Sequence, residues 1–337
     1  MTQDVLSAGK IPPALLEKVI FRRTGAKRPE VLVMPAVGED TTAIDVGGEL
    51  LVATTDPITG AEEKAGWLAV KVAVNDIAAS GAEPLCILMT LLLPESTSVR
   101  DLECIMDDVH QACIEENVTV AGGHSEVTPG LSHPIISVTA LGRSRGRRIL
   151  RSSGACVGDD IVVTKWAGME GTSILVRDFR PVFSRVLDSE EMREAEELLN
   201  LISVSRDGRI AAENGATSCH DATEGGVLGA IYEVLEASGT GAVVYADEIP
   251  VLPVTVKVSE YTHIDPLKLI SSGCLVITTP SGQNLCDIYR KAGINARVVG
   301  KITSDKREII CRGQNLPLEA PGTDELWQAR RYLENLK

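Results

Sequence analysis

The chain has 337 residues, of which 44% are hydrophobic, 24% charged and only 3% aromatic, and its formal net charge is −14. A chain of this length holds two domains and buries a large core, built here mainly from Val, Ile, Leu and Ala. The acidic balance excludes non-specific nucleic-acid binding, which needs a basic footprint, and scarce aromatics leave few platforms for stacking bases. An anionic ligand such as ATP stays open, because a metal ion or backbone amides supply a local positive field.

In chain order, Pro12 to Phe21 has apolar residues at Leu15, Leu16, Val19 and Ile20 and predicts a short amphipathic helix. Ala43 to Val46 is strand-like. Leu50 to Thr55 is β-rich and ends at the turn signal Asp56-Pro57. Ala69 to Ala82 predicts a buried helix stopped at Gly81, and the apolar run Leu85 to Leu93, closed by Pro94, a central strand. Arg100 to Asn117 has helical spacing, and Val118 to Val120 is a short strand leading into a Gly122-Gly123 turn. Pro134 to Leu141 is a further strand. The basic stretch Gly142 to Arg151 reads as a solvated linker, so the domains are expected at 1–150 and 151–337.

The second half restarts with a strand at Ile161 to Thr164. Ser189 to Val204 predicts one long helix with Ser189 as N-cap, and Val227 to Leu235 another. Strands are expected at Val243 to Tyr245, Cys274 to Thr279 and Ala296 to Ile302, with a helix over Leu285 to Lys291 between the last two. Both halves are α+β rather than strictly alternating, so no Rossmann sheet is expected.

Eight cysteines are scattered without a C-x-x-C pair, which argues against a zinc ribbon or thioredoxin-type site. Most lie in apolar runs and read as small core residues. The opening MTQDVLSAGK has no basic-then-apolar signal pattern and no apolar stretch is of membrane-spanning length, so the expectation is a reduced, cytoplasmic protein with no membrane partner.

There is no G-x-x-x-x-G-K-[ST] loop, so ATP binding would have to use acidic side chains holding magnesium against the phosphates. Asp40, in Gly38-Glu39-Asp40, and Asp56 are candidates, although each alone also reads as an ordinary turn residue. Asn75-Asp76 interrupts a run, Leu68 to Ala79, that otherwise looks buried. A buried carboxylate needs a partner, a metal or a cavity, so the pair is either functional or a satisfied core group. Gly122-Gly123-His124-Ser125-Glu126 is either a backbone approach to a ligand or a tight turn with solvated polar residues. In His220-Asp221-Ala222-Thr223-Glu224-Gly225-Gly226, Thr223 is a candidate N-cap of the next helix, whose amides would suit an anion; Asp221 is either functional or structural.

Taken together, GEDTTAI (38–44), TTDPI (54–58), NDIAASGAEP (75–84), AGGHSEV (121–127), GDDIVVTK (158–165) and HDATEGGVLGAIYEV (220–234) resemble, in order and spacing, the superfamily of aminoimidazole ribonucleotide (AIR) synthetase, thiamine-monophosphate kinase, selenophosphate synthetase and the hydrogenase maturation factor HypE. The likeness runs from about residue 8 to residue 303, and the opening GKIPPALLEKVI resembles the HypE branch. It implies a two-domain α+β, PurM-like fold. The N-terminal domain would form an interfacial β-barrel in a homodimer, and ATP with Mg2+ would bind in the interdomain cleft.

By the matching motif positions, the resemblance makes Asp40, Asp56 and Asp76 metal ligands, with Asp76 and Asp221 the catalytic carboxylates. Asn75, Gly122, Gly123, His124 and Thr223 become nucleotide-side residues. Two departures stand out. His124 occupies a position that is acidic in the kinase-like members, as it does in selenophosphate synthetases, whose N-terminal reactive Cys is absent here. HypE proteins end in a cysteine that carries the carbamoyl group, whereas the last cysteine here is Cys311 and the sequence ends at Lys337. Expected partners are therefore a second copy, a small-molecule or protein acceptor and a maturation factor. The expected activity is ATP-dependent activation of a substrate oxygen, such as an amide oxygen, by phosphorylation. A small-metabolite kinase and a non-catalytic nucleotide-binding assembly partner are the alternatives.

Overall fold

A computed structural model describes residue 11 and residues 13–58, 64–144 and 148–336. It has two domains of mixed helix and strand, each built on one sheet. In the first, α1 (Pro13–Leu15) runs into a π-helical turn at Leu16–Ile20. Pro12, where the expected helix began, lies outside the described residues.

The remaining elements of this domain are β1 (Thr42–Asp45), β2 (Leu50–Ile58), α2 (Ala65–Ala79), β3 (Glu83–Leu93), α3 (Val99–Glu116), β4 (Thr119–Val127) and β5 (Ile135–Ser144). The sheet order is β1-β2-β5-β3-β4. Its one parallel pair, β3 with β4, is joined through α3, because parallel neighbours need a long crossover. Leu68, Val70, Val74 and Ile77 of α2 pack into one core with Val52, Ile87, Leu91 and Val138 of the sheet.

Three expectations change here. The strand before Asp56 does not stop there but continues to Ile58; Pro57 is accommodated because β1 pairs no further than Ala53, leaving that flank open. The predicted buried helix starts earlier, at Ala65, while its stop at Gly81 stands: the helix ends at Ala79, Ser80 is the C-cap and Gly81 follows at positive φ. Gly122-Gly123 is not a turn: both glycines lie inside β4, on the sheet edge. A Cβ on Gly123 would sit 1.8 Å from the Met89 carbonyl oxygen, so glycine lets β4 approach β3 closely.

The second domain contains β6 (Asp160–Thr164), α4 (Met169–Asp178), α5 (Arg180–Phe183), α6 (Ser189–Glu197), α7 (Ser205–Glu213), β7 (Ser218–Ala222) and α8 (Gly226–Ser238). These are followed by β8 (Gly241–Tyr245), α9 (Pro253–Thr262), β9 (Cys274–Thr279), α10 (Gly282–Lys291), β10 (Ala296–Thr303), β11 (Arg307–Cys311), β12 (Gln314–Pro317) and α11 (Glu325–Glu334). The sheet order is β12-β11-β8-β10-β6-β9-β7. Ile161 and Val163 point into a core with α4, α8 and α9, while Val162 points into a second core with α7, α10 and Ala78–Ala79 of α2. Helices thus cover both faces, and β9 is buried along its whole length.

The expected helix from Ser189 to Val204 is shorter. α6 stops at Glu197, a 3-10 turn covers Leu198–Leu201, and α7 begins at Ser205. Its N-cap is Asp188, not Ser189; Asp188 and Glu191 form a reciprocal capping box. In the expected linker, Gly142–Ser144 is the end of β5. No helix among the described residues is long and apolar enough to cross a membrane.

Candidate active site between the domains

Asn75 and Asp76 sit near the end of α2, where it meets the second domain. Asn75 is fully buried and both ends of its amide are engaged: Nδ2 donates to the Ile202 carbonyl (2.8 Å), and Oδ1 accepts from the Val204 N–H (2.9 Å). It therefore stitches the two domains together. Asp76 is 5% exposed and accepts from the Thr54 hydroxyl at 2.6 Å. The same hydroxyl lies 2.9 Å from the Asp40 carbonyl oxygen and 3.5 Å from Asp56 Oδ2. Thr54 thus ties the loop carrying Asp40 to the strand carrying Asp56 and the helix carrying Asp76.

From the second domain, β7 brings His220 and Asp221. Burial, reinforced by the carboxylates of Asp221, Asp56 and Asp40, pushes the Asp76 carboxyl well above the usual carboxylate range. Asp221 is raised to about 7, by burial first and then by Asp40, with His220 opposing. Its Oδ2 is buried and has no hydrogen-bond partner among the described residues. Four carboxylates, from a loop, a strand and a helix of one domain and a strand of the other, therefore repel one another at the seam.

His220 closes the arrangement. Its Nδ1 lies 3.0 Å from Asp40 Oδ2 and 3.1 Å from the Ser152 hydroxyl, and its Nε2 lies 3.0 Å from Glu233 Oε2 on α8. Burial alone would lower its pKa, but the flanking carboxylates of Asp40 and Glu233 outweigh it and raise it well above the usual value. The loop before Asp40 is held against α8, since a Cβ on Gly38 (φ +77°) would lie 2.6 Å from the Glu233 carbonyl oxygen. Glu39 Oε1 lies 3.1 Å from Arg151 and accepts from the Ser153 N–H at 3.3 Å.

The structure thus brings Asp40, Asp56, Asp76 and Asp221 together. His124 is elsewhere: it is 64% exposed and pairs with Glu126 at 2.9 Å on the edge strand with Gly122 and Gly123. Thr223 does not cap α8, whose N-cap is Gly225; the Thr223 carbonyl accepts instead from the Gly226 and Ser271 N–H groups. His220, Glu233, Thr54 and Ser152 were missed by sequence reasoning. Glu233 carries the signal that singled out Asp76, a lone carboxylate in an apolar helix, Val227 to Leu235. Thr54 and Ser152 carry no such signal.

The donor set is entirely carboxylate and hydroxyl oxygen, the chemistry that suits a hard cation. Among the described residues no three or more His, Cys, Asp or Glu side chains are grouped so as to hold a metal ion by themselves. Magnesium, which keeps several waters and uses one or two carboxylates with substrate phosphates, fits such a partial set.

Known proteins with the same framework were found by sequence and by fold. A putative hydrogenase expression/formation protein of Methanocaldococcus jannaschii is 26% identical, with 90% of this chain and 91% of the relative covered. The carbamoyl dehydratase HypE of Rhizobium leguminosarum is 27% identical (81% and 79%), and the selenide, water dikinase of Dechloromonas aromatica 29% (72% and 69%). Among solved structures, HypE in a HypE–HypF complex superposes with a TM-score of 0.75 at 20% identity, covering 91% of this chain and all of that one. ThiL complexed with AMPPCP and TMP gives 0.73 at 20% identity, covering 92% and 97%. Residues 38–144 match the AIR synthase related protein N-terminal domain and residues 157–311 its C-terminal domain, so the chain belongs to the AIR synthase-related family.

Proposed function

We propose that this chain is a magnesium- and ATP-dependent enzyme that phosphorylates a substrate oxygen, with a carboxamide oxygen favoured by its likeness to HypE proteins, in hydrogenase or other metallocofactor maturation. One observation carries the reading: four carboxylates from two domains converge, and the buried Asp221 Oδ2 among them has no hydrogen-bond partner among the described residues. Such a cluster costs stability unless a proton or a cation compensates it. Asp40, Asp56 and Asp76 would hold the magnesium ion together with the substrate phosphates, one or two of them directly and the rest through its waters. When bound, the ion supplies charge neutralisation on the phosphates, the main need of phosphoryl transfer.

The chain's own residues do the rest. His220, gripped between Asp40 and Glu233, orients the Asp40 carboxylate. Asn75 keeps the two halves of the site in register. Asp221 would serve the acceptor side: its carboxyl, raised to about 7, holds or releases a proton near neutrality. Thr223 is assigned to the nucleotide side; Gly122, Gly123 and His124, on the exposed strand β4, would reach the nucleotide only with a second copy covering that edge. The γ-phosphoryl group would move to the acceptor oxygen as its bond to the ADP oxygen breaks.

The proposal includes a homodimer and a division between the domains near residue 150. All nine residues of β4 are exposed, as are Leu85 and Leu88 of β3. An uncovered edge and face of this kind suit closure of a barrel with a second copy. A HypE–HypF complex among the similar structures supports a maturation protein as a further partner.

The test is ADP formation with magnesium and two acceptors, an S-carbamoylated thiol and thiamine monophosphate. Turnover with the carbamoylated thiol is expected. Turnover with thiamine monophosphate alone would replace this reading by a metabolite kinase. Nucleotide binding without turnover on any acceptor would replace it by an assembly partner.

A further inference from the structure

A cavity of about 510 Å3 opens one turn beyond Asp76, where the end of α2 (Ser80, Gly81) meets α7. Its walls come from both domains: the ends of α2, α3 and β5, the start of β3, the segment Arg148–Leu150, and one face of α7. Its charged lining is Arg143, Arg148, Arg209, Glu83, Glu116 and Glu213. These six are not equally free. Glu116 is neutralised by the buried Lys71 at 2.5 Å and accepts from the Ser205 hydroxyl. Glu83 is paired with Arg143 at 3.1 Å.

Among the described residues, neither Arg148 nor Arg209 forms an ion pair. The Arg148 side chain donates to the Ala216 carbonyl at 3.2 Å. Two arginines thus line a common space with Glu213, which has no ion pair among the described residues, and the lining is left net positive. Guanidinium forks match the two oxygens of a carboxylate or phosphate, and the volume suits a small metabolite.

We propose that this cavity is a second binding site, taking a small oxyanion-bearing metabolite, phosphate or carboxylate, through Arg148 and Arg209. Its position gives the occupant leverage on the seam. α7 follows Val204, whose N–H is held by Asn75, and α7 lies so close to α2 that a Cβ on Gly208 would be 1.9 Å from the Ala78 carbonyl oxygen. An anion held by Arg148 and Arg209 ties α7 to the segment that follows β5, beside the end of the helix that carries Asp76. The site does not depend on the nucleotide reading.

The experiment is thermal unfolding of the full chain, magnesium-free, titrated with inorganic phosphate or malonate against sodium chloride of equal ionic strength. A saturable rise in Tm is expected with at least one of the two. A response to phosphate alone identifies a phosphorylated ligand, and a response to malonate a carboxylate. Loss of both forks in Arg148→Gln/Arg209→Gln should weaken the response about tenfold or more. Asp56→Asn should leave it unchanged, which separates this site from the carboxylate cluster. Should the double variant fail to fold, the exposed Arg209→Gln alone should weaken the response. No saturable rise with either anion, or an equal rise in the variants, overturns the proposal.

Discussion

Two polar motifs of the first domain, Asn75-Asp76 and Gly122 to Glu126, look alike as sequence but have opposite fates. The first lies inside a buried helix, with Asp76 among three other carboxylates and Asn75 bonded across the domain seam. The second lies along a fully exposed edge strand, where His124 and Glu126 pair in solvent. The difference teaches that a polar pair interrupting an apolar run is the stronger pointer. Burial makes its placement costly, and only a structural or chemical return maintains it. The same polar groups on an open strand cost little and report little until a partner covers them.

The sharpest way to break this comparison is to exchange its members in turnover. Asp76→Asn should reduce magnesium-dependent ADP formation about a hundredfold or more, whereas His124→Ala should reduce it less than about tenfold. A reversed order would move the site to β4. Next in size is the seam. Asn75→Ala leaves the Ile202 carbonyl and the Val204 N–H unsatisfied, and urea unfolding should show a loss of about 2–4 kcal/mol. An unchanged midpoint would mean that the domains do not depend on this stitch.

A smaller effect separates buried from exposed acids by pH. Burial raises Glu170, in the first turn of α4, from 4.5 to about 7. A raised folded-state pKa favours the fold fully below pH 4.5, and that contribution is lost as pH rises through about 7. Glu170→Gln should therefore gain about 1–3 kcal/mol over the wild type on going from pH 5 to pH 8. The exposed Glu126 is shifted downward instead, by its bonds with His124 and Thr128, so Glu126→Gln should show no such gain. The smallest effect is a count of protons. Because Asp76 and Asp221 are raised in the metal-free protein, Mg–ATP binding near pH 6.5 should release about half a proton or more, read as a buffer-dependent calorimetric enthalpy.

Much of this was legible in the sequence. The Leu85 to Leu93 strand and the second-domain strands at 161–164, 274–279 and 296–302 follow from short β-rich runs, and α3 from its spacing. Asp76 was visible because its neighbours are apolar. β7 was not, since Ser-Cys-His-Asp-Ala has no alternation and becomes a buried strand only through pairing with β9. The Asp188 cap and the true path of Gly122-Gly123 needed backbone geometry: adjacent Asp and Ser are both good caps, and paired glycines suit a turn as well as a crowded strand. The Asp40–His220–Glu233 chain joins residues nearly 200 positions apart along the chain, beyond the reach of any local pattern.

The central claim is that the seam carboxylates grip a triphosphate through magnesium. Calorimetric titration of the folded chain with ATP, in excess magnesium and then in a chelator, tests it most directly. Uptake that appears with magnesium, vanishes with the chelator and is abolished by Asp56→Asn combined with Asp76→Asn is the predicted result. Equal affinity with and without the metal, or no uptake at all, would contradict it.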